Sequence, residues 1–321
     1  MKHILLLSMG GTIASVSNGE GLEPQFSPTE MIRLIPQLNG LCQISYLEVA
    51  SLDSTNVQPE EWKLLARSIY ENISLYDGFV ITHGTDTMAY TASAITYMLQ
   101  GLTKPVILTG AQLPIDFPGT DARENILNAF RTAITGTPGV YILFDGKIIE
   151  GTRASKLYSQ NFSAFHSINA QEAGSIVEGK ALFTNPARPA KVPFQLADFA
   201  DPRVLVYKLI PGADPKIIDM AIEIGYRGIV IEAYGAGGVP TYRRNFIPTI
   251  QRATEKGVVV ICATQCVFDG IHLDTYQVGV LAQKAGAIST HDKTIEAIST
   301  KLMWALGQTE DAQKAKKILQ D

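Results

Sequence analysis

The sequence VITHGTDTMAYTAS, residues 80–93, joins a short apolar run to a stretch with helical periodicity. Four of the five residues between Thr82 and Met88 are polar, and the fifth is glycine. An apolar run, a polar turn and a helix in this order are typical of an α/β fold. The pattern predicts that the polar turn lies at the carboxyl end of a buried strand, where ligands of such folds bind.

The same alternation extends along the chain in both directions from this stretch. Apolar strands separated by helices indicate a parallel sheet covered on both faces, and right-handed crossovers make the fold doubly wound. A capping box at Ser27 and Glu30, with Pro28 between them, starts the first helix. The other predicted elements of the first half are strands at 4–9, 44–49, 78–82, 105–109 and 140–144, and helices at 59–73, 88–100 and 121–134.

A proline-rich segment divides the chain. Residues 184–203 contain four prolines and little periodicity, so we interpret them as a linker. Beyond it we predict strands at 204–210, 228–233 and 258–263, and helices at 215–224, 244–256, 275–285 and 294–306. The predicted fold is an N-terminal domain with a doubly wound, mainly parallel sheet at 1–183 and a smaller α/β C-terminal domain at 204–321.

The composition excludes several classes of partner. The 321 residues carry a net charge of −4, and no block of like charge occurs, so neither nucleic acid nor a membrane is expected as a partner. Three cysteines without a CxxC pair fit a reduced, cytoplasmic setting. The apolar stretch at 4–7 is shorter than a signal peptide core and predicts a first buried strand.

Four polar turns follow predicted strands, at 10–15, 51–56, 83–87 and 109–114. Gly10 and Gly11 allow a sharp turn that would expose the hydroxyl of Thr12, although an ordinary turn threonine explains the same residues. Thr85 or Asp86 is equally well explained as the N-cap of the next helix. Several polar turns at one edge of a sheet indicate a ligand site without identifying its reaction.

Other classes of catalytic site find little support. The chain lacks the glycine pattern of dinucleotide folds, the lysine of a P-loop and the GxSxG elbow of hydrolases. Its five histidines are scattered without metal-ligand spacing, so we expect neither a metal nor another cofactor. We interpret His83, beside the polar turn, as a structural residue.

Two motifs carry a resemblance to a known family. GGTIA at 10–14 and HGTDT at 83–87 resemble the signature segments of the bacterial-type L-asparaginase/glutaminase family. The resemblance covers essentially the whole chain, and the TQC segment at 264–266 looks like that of the cytoplasmic type I branch. It implies a hydrolase that converts L-asparagine to L-aspartate and ammonia through a threonine-linked β-aspartyl intermediate, and that self-associates as a homodimer or homotetramer.

The resemblance also implies roles for individual residues. Thr12 is the implied nucleophile, supported by Thr85, Asp86 and Lys156. Asp86 would also hold the α-amino group of the substrate, and the backbone N–H of Thr85 would bind the oxyanion. Thr87 is left as the structural cap of the following helix. The implied substrate-binding residues are Ser54 and Thr55, which would grip the α-carboxylate, together with Asp53, Gly84 and Ala111.

The sequence departs from the family pattern at three positions. Leu22 stands where many relatives have a loop tyrosine directed towards the nucleophile. Gly238 replaces an asparagine that reaches a neighbouring site, and Glu232 stands in the strand where an arginine binds an asparagine effector in some relatives. The opposite charge of Glu232 predicts that asparagine does not activate this protein.

Two alternatives share the fold. The amidotransferase subunit that makes glutaminyl-tRNA normally carries an extra N-terminal domain, for which a first strand at Ile4 leaves no room. A non-catalytic amino-acid sensor would not need Thr12, Thr85, Asp86 and Lys156 together. Tight aspartate binding without turnover would favour the sensor.

Overall fold

The computed structural model describes residues 1–17, 22–24, 26–188 and 191–320. The chain forms two compact units, 1–198 and 199–321. Within the described residues, no helix has the combination of length and apolar character that a membrane span requires.

The first unit contains strands, α-helices and three short 3₁₀ turns, at Thr12–Ala14, Pro36–Leu38 and Ser54–Asn56. Its strands are β1 His3–Gly10, β2 Ser15–Ser17, β3 Leu22–Pro24, β4 Gln43–Leu52, β5 Gly78–Thr82, β6 Leu99–Gln100, β7 Pro105–Thr109, β8 Gly139–Phe144, β9 Lys147–Glu150, β10 Ala154–Lys156, β11 Phe165–Ser167, β12 Gly174–Val177, β13 Lys180–Phe183 and β14 Gln195–Leu196. Its helices are α1 Pro28–Arg33, α2 Pro59–Asn72, α3 Met88–Met98 and α4 Ala122–Ala133.

The main sheet of this unit has the strand order β4-β1-β5-β7-β8-β9-β12-β13. Its first five strands run parallel, and β9, β12 and β13 add antiparallel pairs at one side. Consecutive residues of β1, such as Leu5 and Leu6, point to opposite faces of the sheet and are both buried, so both faces are covered. The predicted doubly wound, mainly parallel α/β fold is confirmed.

The strand order determines where a ligand site lies. Strands β4 and β5 lie on opposite sides of β1, so the direction of the chain connections reverses between β1 and β5. A crevice opens outside the carboxyl ends of the strands at such a switch point. The turns that begin at Gly11 and His83 follow these two strands and therefore flank the crevice.

Local predictions are confirmed where a sequence pattern specifies a boundary. Strands β5 and β7 have the predicted limits, and Ser27 and Glu30 form the predicted capping box. Helix α3 ends earlier than predicted because Leu99–Gln100 pairs with Gln195–Leu196, which belongs to the segment predicted as a linker. The short strands β9–β13 were not predicted.

The second unit has a four-stranded parallel sheet in chain order. Its strands are β15 Val204–Lys208, β16 Gly228–Ala233, β17 Val259–Thr264 and β18 Ile288–Ser289. Its helices are α5 Lys216–Glu223, α6 Ile247–Glu255, α7 Gln277–Lys284, α8 Ile295–Gln308 and α9 Ala312–Gln320, of which α9 was not predicted. The predicted smaller α/β unit is confirmed.

Candidate active site

Loops from the carboxyl ends of four parallel strands meet in close contact, and glycine makes this contact possible. A Cβ atom on Gly11 would lie 2.3 Å from the backbone nitrogen of Gly84. One on Gly84 would lie 2.6 Å from Ser54 Oγ, and one on Gly110 would lie 2.4 Å from His83 O. The loops after β1, β4, β5 and β7 therefore form one compact cluster at the switch point.

We expect Gly11→Ala to unfold or inactivate the protein, because the new methyl group would displace the backbone of Gly84. Gly40 offers a matched control, since both glycines have φ of 83° but a Cβ on Gly40 would meet no atom within 4 Å. Gly40→Ala should cost only the strain of the left-handed backbone, about 1 kcal/mol. Gly11→Ala should cost more than about 4 kcal/mol. Equal denaturation midpoints for the two variants would contradict this account of the loop contact.

Thr12 is the first residue of the 3₁₀ turn that follows Gly11. The hydroxyl of Ser15 donates to Gly11 O at 2.9 Å, and Ile13 and Ala14 are buried in the core. Thr12 itself is half-buried. The turn is thus anchored on both sides of Thr12, next to the Gly84 backbone.

Lys156 lies at the end of β10, which forms an antiparallel hairpin with β11. Its Nζ donates to Thr85 Oγ1 at 2.7 Å and to Asp86 Oδ1 at 2.6 Å. The lysine side chain is 14% exposed, whereas that of Asp86 is 57% exposed. One ammonium group therefore joins a buried threonine hydroxyl to a carboxylate that faces solvent.

Ser54 connects the β4 loop to the polar turn after β5. The backbone N–H of Asp86 donates to Ser54 Oγ at 3.2 Å, and Thr87 Oγ1 donates to Ser54 O at 2.7 Å. Asp53 caps the turn that contains Ser54, because its carboxylate accepts from both the N–H and the hydroxyl of Thr55, at 2.8 and 2.6 Å. These bonds place Asp53, Ser54 and Thr55 beside the turn whose Thr85 and Asp86 bond to Lys156.

The prediction that Thr87 caps the following helix is wrong in its mechanism. Thr87 occupies the N-cap position of α3, but its side chain makes no capping bond. Its hydroxyl hydrogen is directed instead to the carbonyl of Ser54. Thr87 therefore holds two loops together.

His83 is fully buried behind the polar turn and takes part in a chain of hydrogen bonds. Trp62 Nε1 donates to Thr91 Oγ1 at 3.2 Å, and Thr91 Oγ1 lies 2.9 Å from His83 Nε2. Because the indole only donates, Thr91 is free to donate onward, and His83 Nδ1–H then donates to Gly84 O at 2.7 Å. Burial lowers the pKa of His83 to about 4, so the ring is neutral and structural at neutral pH.

This burial predicts an acid-sensitive contribution to stability. The pKa of His83 falls from 6.5 to about 4 on folding, so between these pH values the unfolded chain binds the extra proton. Stability is therefore lost as the pH falls, by between about 1 and 2 kcal/mol from pH 6.5 to pH 5, because the slope reaches its full 1.36 kcal/mol per pH unit only below pH 6.5, where the unfolded imidazole is half protonated. Denaturant unfolding of wild type and His83→Gln at both pH values checks this. Parallel pH dependence of the two proteins would exclude His83 as the source.

Two residues of the site were not identified from the sequence. The carboxylate of Asp121 accepts from the backbone N–H of Gln112, and Asn125 Nδ2 donates to Gly110 O. Burial raises the pKa of Asp121, against the backbone donors that lower it. The sequence indicates Asp121 only as a helix start, because side chain to backbone contacts across a loop leave no periodic signal.

The structure brings the residues singled out in the first unit to one edge of the sheet. Ala111 is buried between Gly110 and Gln112, completing the cluster. Of the loop that contains Leu22, the strand Leu22–Pro24 is described, and residues 18–21 and 25 lie outside the described residues. No group of His, Cys, Asp or Glu within the described ranges could hold a metal ion.

Comparisons with known proteins agree with this architecture. A family model described as "Asparaginase, N-terminal" matches residues 3–188, and one described as "Glutaminase/Asparaginase C-terminal domain" matches residues 203–319. An L-asparaginase of Thermococcus kodakarensis is 40% identical over 99% of this chain and 96% of its own length. A subunit of the glutamyl-tRNA(Gln) amidotransferase of Pyrococcus furiosus is 34% identical over 99% of this chain and 75% of its own length.

Solved structures show the same similarity. The thermostable L-asparaginase from Thermococcus kodakarensis has a TM-score of 0.94 and 38% identity, covering 99% of this chain and 97% of its own. A probable cytoplasmic L-asparaginase from Campylobacter jejuni has a TM-score of 0.87 and 27% identity, with 100% of both chains covered. Because the family models and the relatives together span nearly all of the sequence, the chain belongs to the asparaginase family.

Proposed function

We propose that this protein hydrolyses L-asparagine to L-aspartate and ammonia through a covalent β-aspartyl intermediate on Thr12. The observation that carries the proposal is the pair of bonds that Lys156 makes to Thr85 and Asp86. The backbone of Gly84, next to Thr85, lies in close contact with Gly11, which precedes Thr12. The similarity to a protein named L-asparaginase, over almost the full length of both, supports the choice of substrate.

The first step is acyl transfer to a hydroxyl. Thr12 Oγ1 attacks the side-chain amide carbon of the substrate, and the hydroxyl proton passes to the departing nitrogen, which leaves as ammonia. In the second step, water attacks the ester carbon, the Thr12 hydroxyl is restored and L-aspartate leaves. A hydroxyl needs an adjacent activating group for such an attack.

Thr85, Lys156 and Asp86 supply proton transfer and charge in this scheme. Thr85 faces the scissile amide and exchanges protons with Lys156, and Asp86 fixes the lysine by a bond of 2.6 Å. The backbone N–H of Thr85 would stabilise the oxyanion that forms in each step. The exposed carboxylate of Asp86 also remains accessible to the α-amino group of the substrate.

Ser54 and its neighbours would bind the other end of the amino acid. Ser54 and Thr55 are the proposed partners of the α-carboxylate, and Asp53, Gly84 and Ala111 line the same pocket. In the structure the Thr55 hydroxyl donates to Asp53 at 2.6 Å. Binding of the substrate carboxylate therefore requires this hydroxyl to turn away from Asp53.

We further propose a cytoplasmic protein that self-associates as a homodimer or homotetramer, with its catalytic residues in a domain at 1–183, a linker at 184–203 and a C-terminal domain at 204–321. Three cysteines without a CxxC pair and the similarity to a probable cytoplasmic L-asparaginase support the location. No partner other than L-asparagine and further copies of the chain is proposed.

The test of the proposed function is ammonia release from L-asparagine by purified wild-type protein, with L-glutamine measured in parallel. Release of ammonia and L-aspartate in equal amounts is expected. The 34% identity to an amidotransferase subunit makes transfer of ammonia to glutamyl-tRNA the second candidate. Inactivity towards free asparagine, with glutamine turnover only beside such a tRNA, would favour that candidate. Aspartate binding without any turnover would favour a sensor.

A further inference from the structure

Asp121 does not cap the helix at whose start it lies. It occupies the N-cap position of α4 without a capping bond from its side chain. Its carboxylate turns towards the β7 loop, residues 110–113, and accepts from the backbone N–H of Gln112 at 3.1 and 3.0 Å and of Leu113 at 3.2 Å. Thr120 Oγ1 instead accepts from Ala122 N, at 3.0 Å. The strongest acceptor at this helix start is thus used to hold a loop.

Asn125, one turn further along α4, holds the other end of the same loop. Its Nδ2 donates to Gly110 O at 3.0 Å and to the Asp121 carboxylate at 3.2 Å. Its Oδ1 accepts from the backbone N–H of Asp145 at 3.1 Å. The side chain is almost fully buried, with Asn125 only 3% exposed. A buried amide with these bonds fixes the loop strongly, because each lost bond would leave a buried polar group without a partner.

The β7 loop lies in close contact with the proposed catalytic turn, residues 83–87. A Cβ atom on Gly110 would lie 2.4 Å from His83 O and 3.4 Å from Thr85 Cγ2. Ala111, the next residue, is buried beside this contact. A shift of the β7 loop would therefore move Ala111 and change the space available next to Thr85.

We propose that Asp121 and Asn125 are positioning residues that fix Ala111 in the substrate pocket. Neither side chain touches the substrate, and both act through the backbone of the β7 loop. The inference rests on the proposed function for its effect on kinetics, whereas the hold on the loop is testable without any substrate.

The kinetic test compares Asn125→Ala with Asn128→Ala. Asn128 lies one turn along α4, is also 3% exposed, and makes its described side-chain bonds within the helix, to Glu124 and Arg131. Loss of a binding contact shared by substrate and transition state raises KM without lowering kcat. We expect Asn125→Ala to raise KM for L-asparagine about tenfold with kcat within about threefold, because the displaced Ala111 should weaken substrate binding by about the free energy of one hydrogen bond. Asn128→Ala should leave KM unchanged, and equal KM values for the two variants would overturn the proposal.

Hydrogen exchange provides the second readout. In Asp121→Asn the backbone amides of Gln112 and Leu113 lose an anionic acceptor, so they should exchange faster than in wild type and in Asn128→Ala. Unchanged exchange would overturn the proposal. The two experiments can also disagree. If the amides exchange faster in Asp121→Asn but the wild-type protein releases no ammonia, the proposed function and the role in substrate binding are refuted, whereas the hold of Asp121 on the loop stands.

Discussion

Thr12→Ala is expected to lower kcat/KM for L-asparagine by about 10⁴-fold or more, because it removes the hydroxyl oxygen that is proposed to carry the covalent intermediate. Removal of one member of a group of catalytic residues that act together lowers kcat by about 10⁴ to 10⁶. Thr12 is half-buried, on a turn anchored by the Ser15 bond to Gly11 O. The alanine variant should therefore keep the fold and lose only the hydroxyl.

Steady-state ammonia release checks this expectation, and Thr12→Ser supplies the control. The serine variant retains a hydroxyl and should keep measurable turnover, whereas the alanine variant should show none above background. Unchanged thermal unfolding of both variants would confirm that the fold is intact. Ammonia release by Thr12→Ala at the wild-type rate would refute the assignment of the nucleophile.

Lys156→Met is expected to lower kcat by about 10³-fold, within the range of about 10² to 10⁴ for loss of a positioned proton-transfer group. Methionine keeps the length and apolar contacts of the side chain but cannot bond to Thr85 or Asp86. The Thr85 hydroxyl would then have no partner at 2.7 Å to exchange a proton with. The same variant leaves the carboxylate of Asp86 without its ion pair.

Lys104→Met is the matched control for the lysine variant. Lys104 also makes short bonds from its Nζ, to the backbone carbonyls of Ile73 and Tyr76. It precedes β7 and so lies at the opposite end of the parallel strands from the proposed site. Its loss should lower thermal stability and leave kcat within about twofold of wild type, since no transition-state contact is removed. Equal losses of kcat in both lysine variants would exclude a specific role for Lys156.

Sequence patterns predicted the parts of the fold that local chemistry determines. The apolar runs that form β5 and β7 are bounded by polar turns, so both ends of each strand were predicted correctly. The capping box at Ser27 and Glu30 did the same for the start of α1. The end of α3 was missed, because Leu99–Gln100 pairs with residues almost a hundred positions away, and no local pattern encodes that pairing.

The site shows the same division between local and distant information. The polar turn after β5 indicated a site, but spacing alone left Thr85 and Asp86 as possible helix caps. Lys156 lies 71 residues from Thr85 on a three-residue strand, so only the family resemblance indicated it. Asp121 and Asn125 were missed because a side chain that bonds to a distant backbone resembles any other polar residue near a helix start.

The close contact of glycines explains why four loops act as one site. Gly11, Gly84 and Gly110 each lie where a side chain would collide with a neighbouring loop. The backbone that carries Thr12 is thereby pressed against the backbone that precedes Thr85. This contact fixes the proposed nucleophile relative to the group that Lys156 forms with Thr85 and Asp86.

Trapping of the covalent intermediate tests the central claim most directly. Wild-type protein mixed with L-asparagine and quenched in acid within the first turnover is digested, and the peptides are measured by mass spectrometry. We predict one added aspartyl group on the peptide that contains Thr12, fragmentation that places it on Thr12, and no such group in Thr12→Ala. An aspartyl group on Thr85, or ammonia release at full rate with no modified peptide at any time, would contradict the assignment.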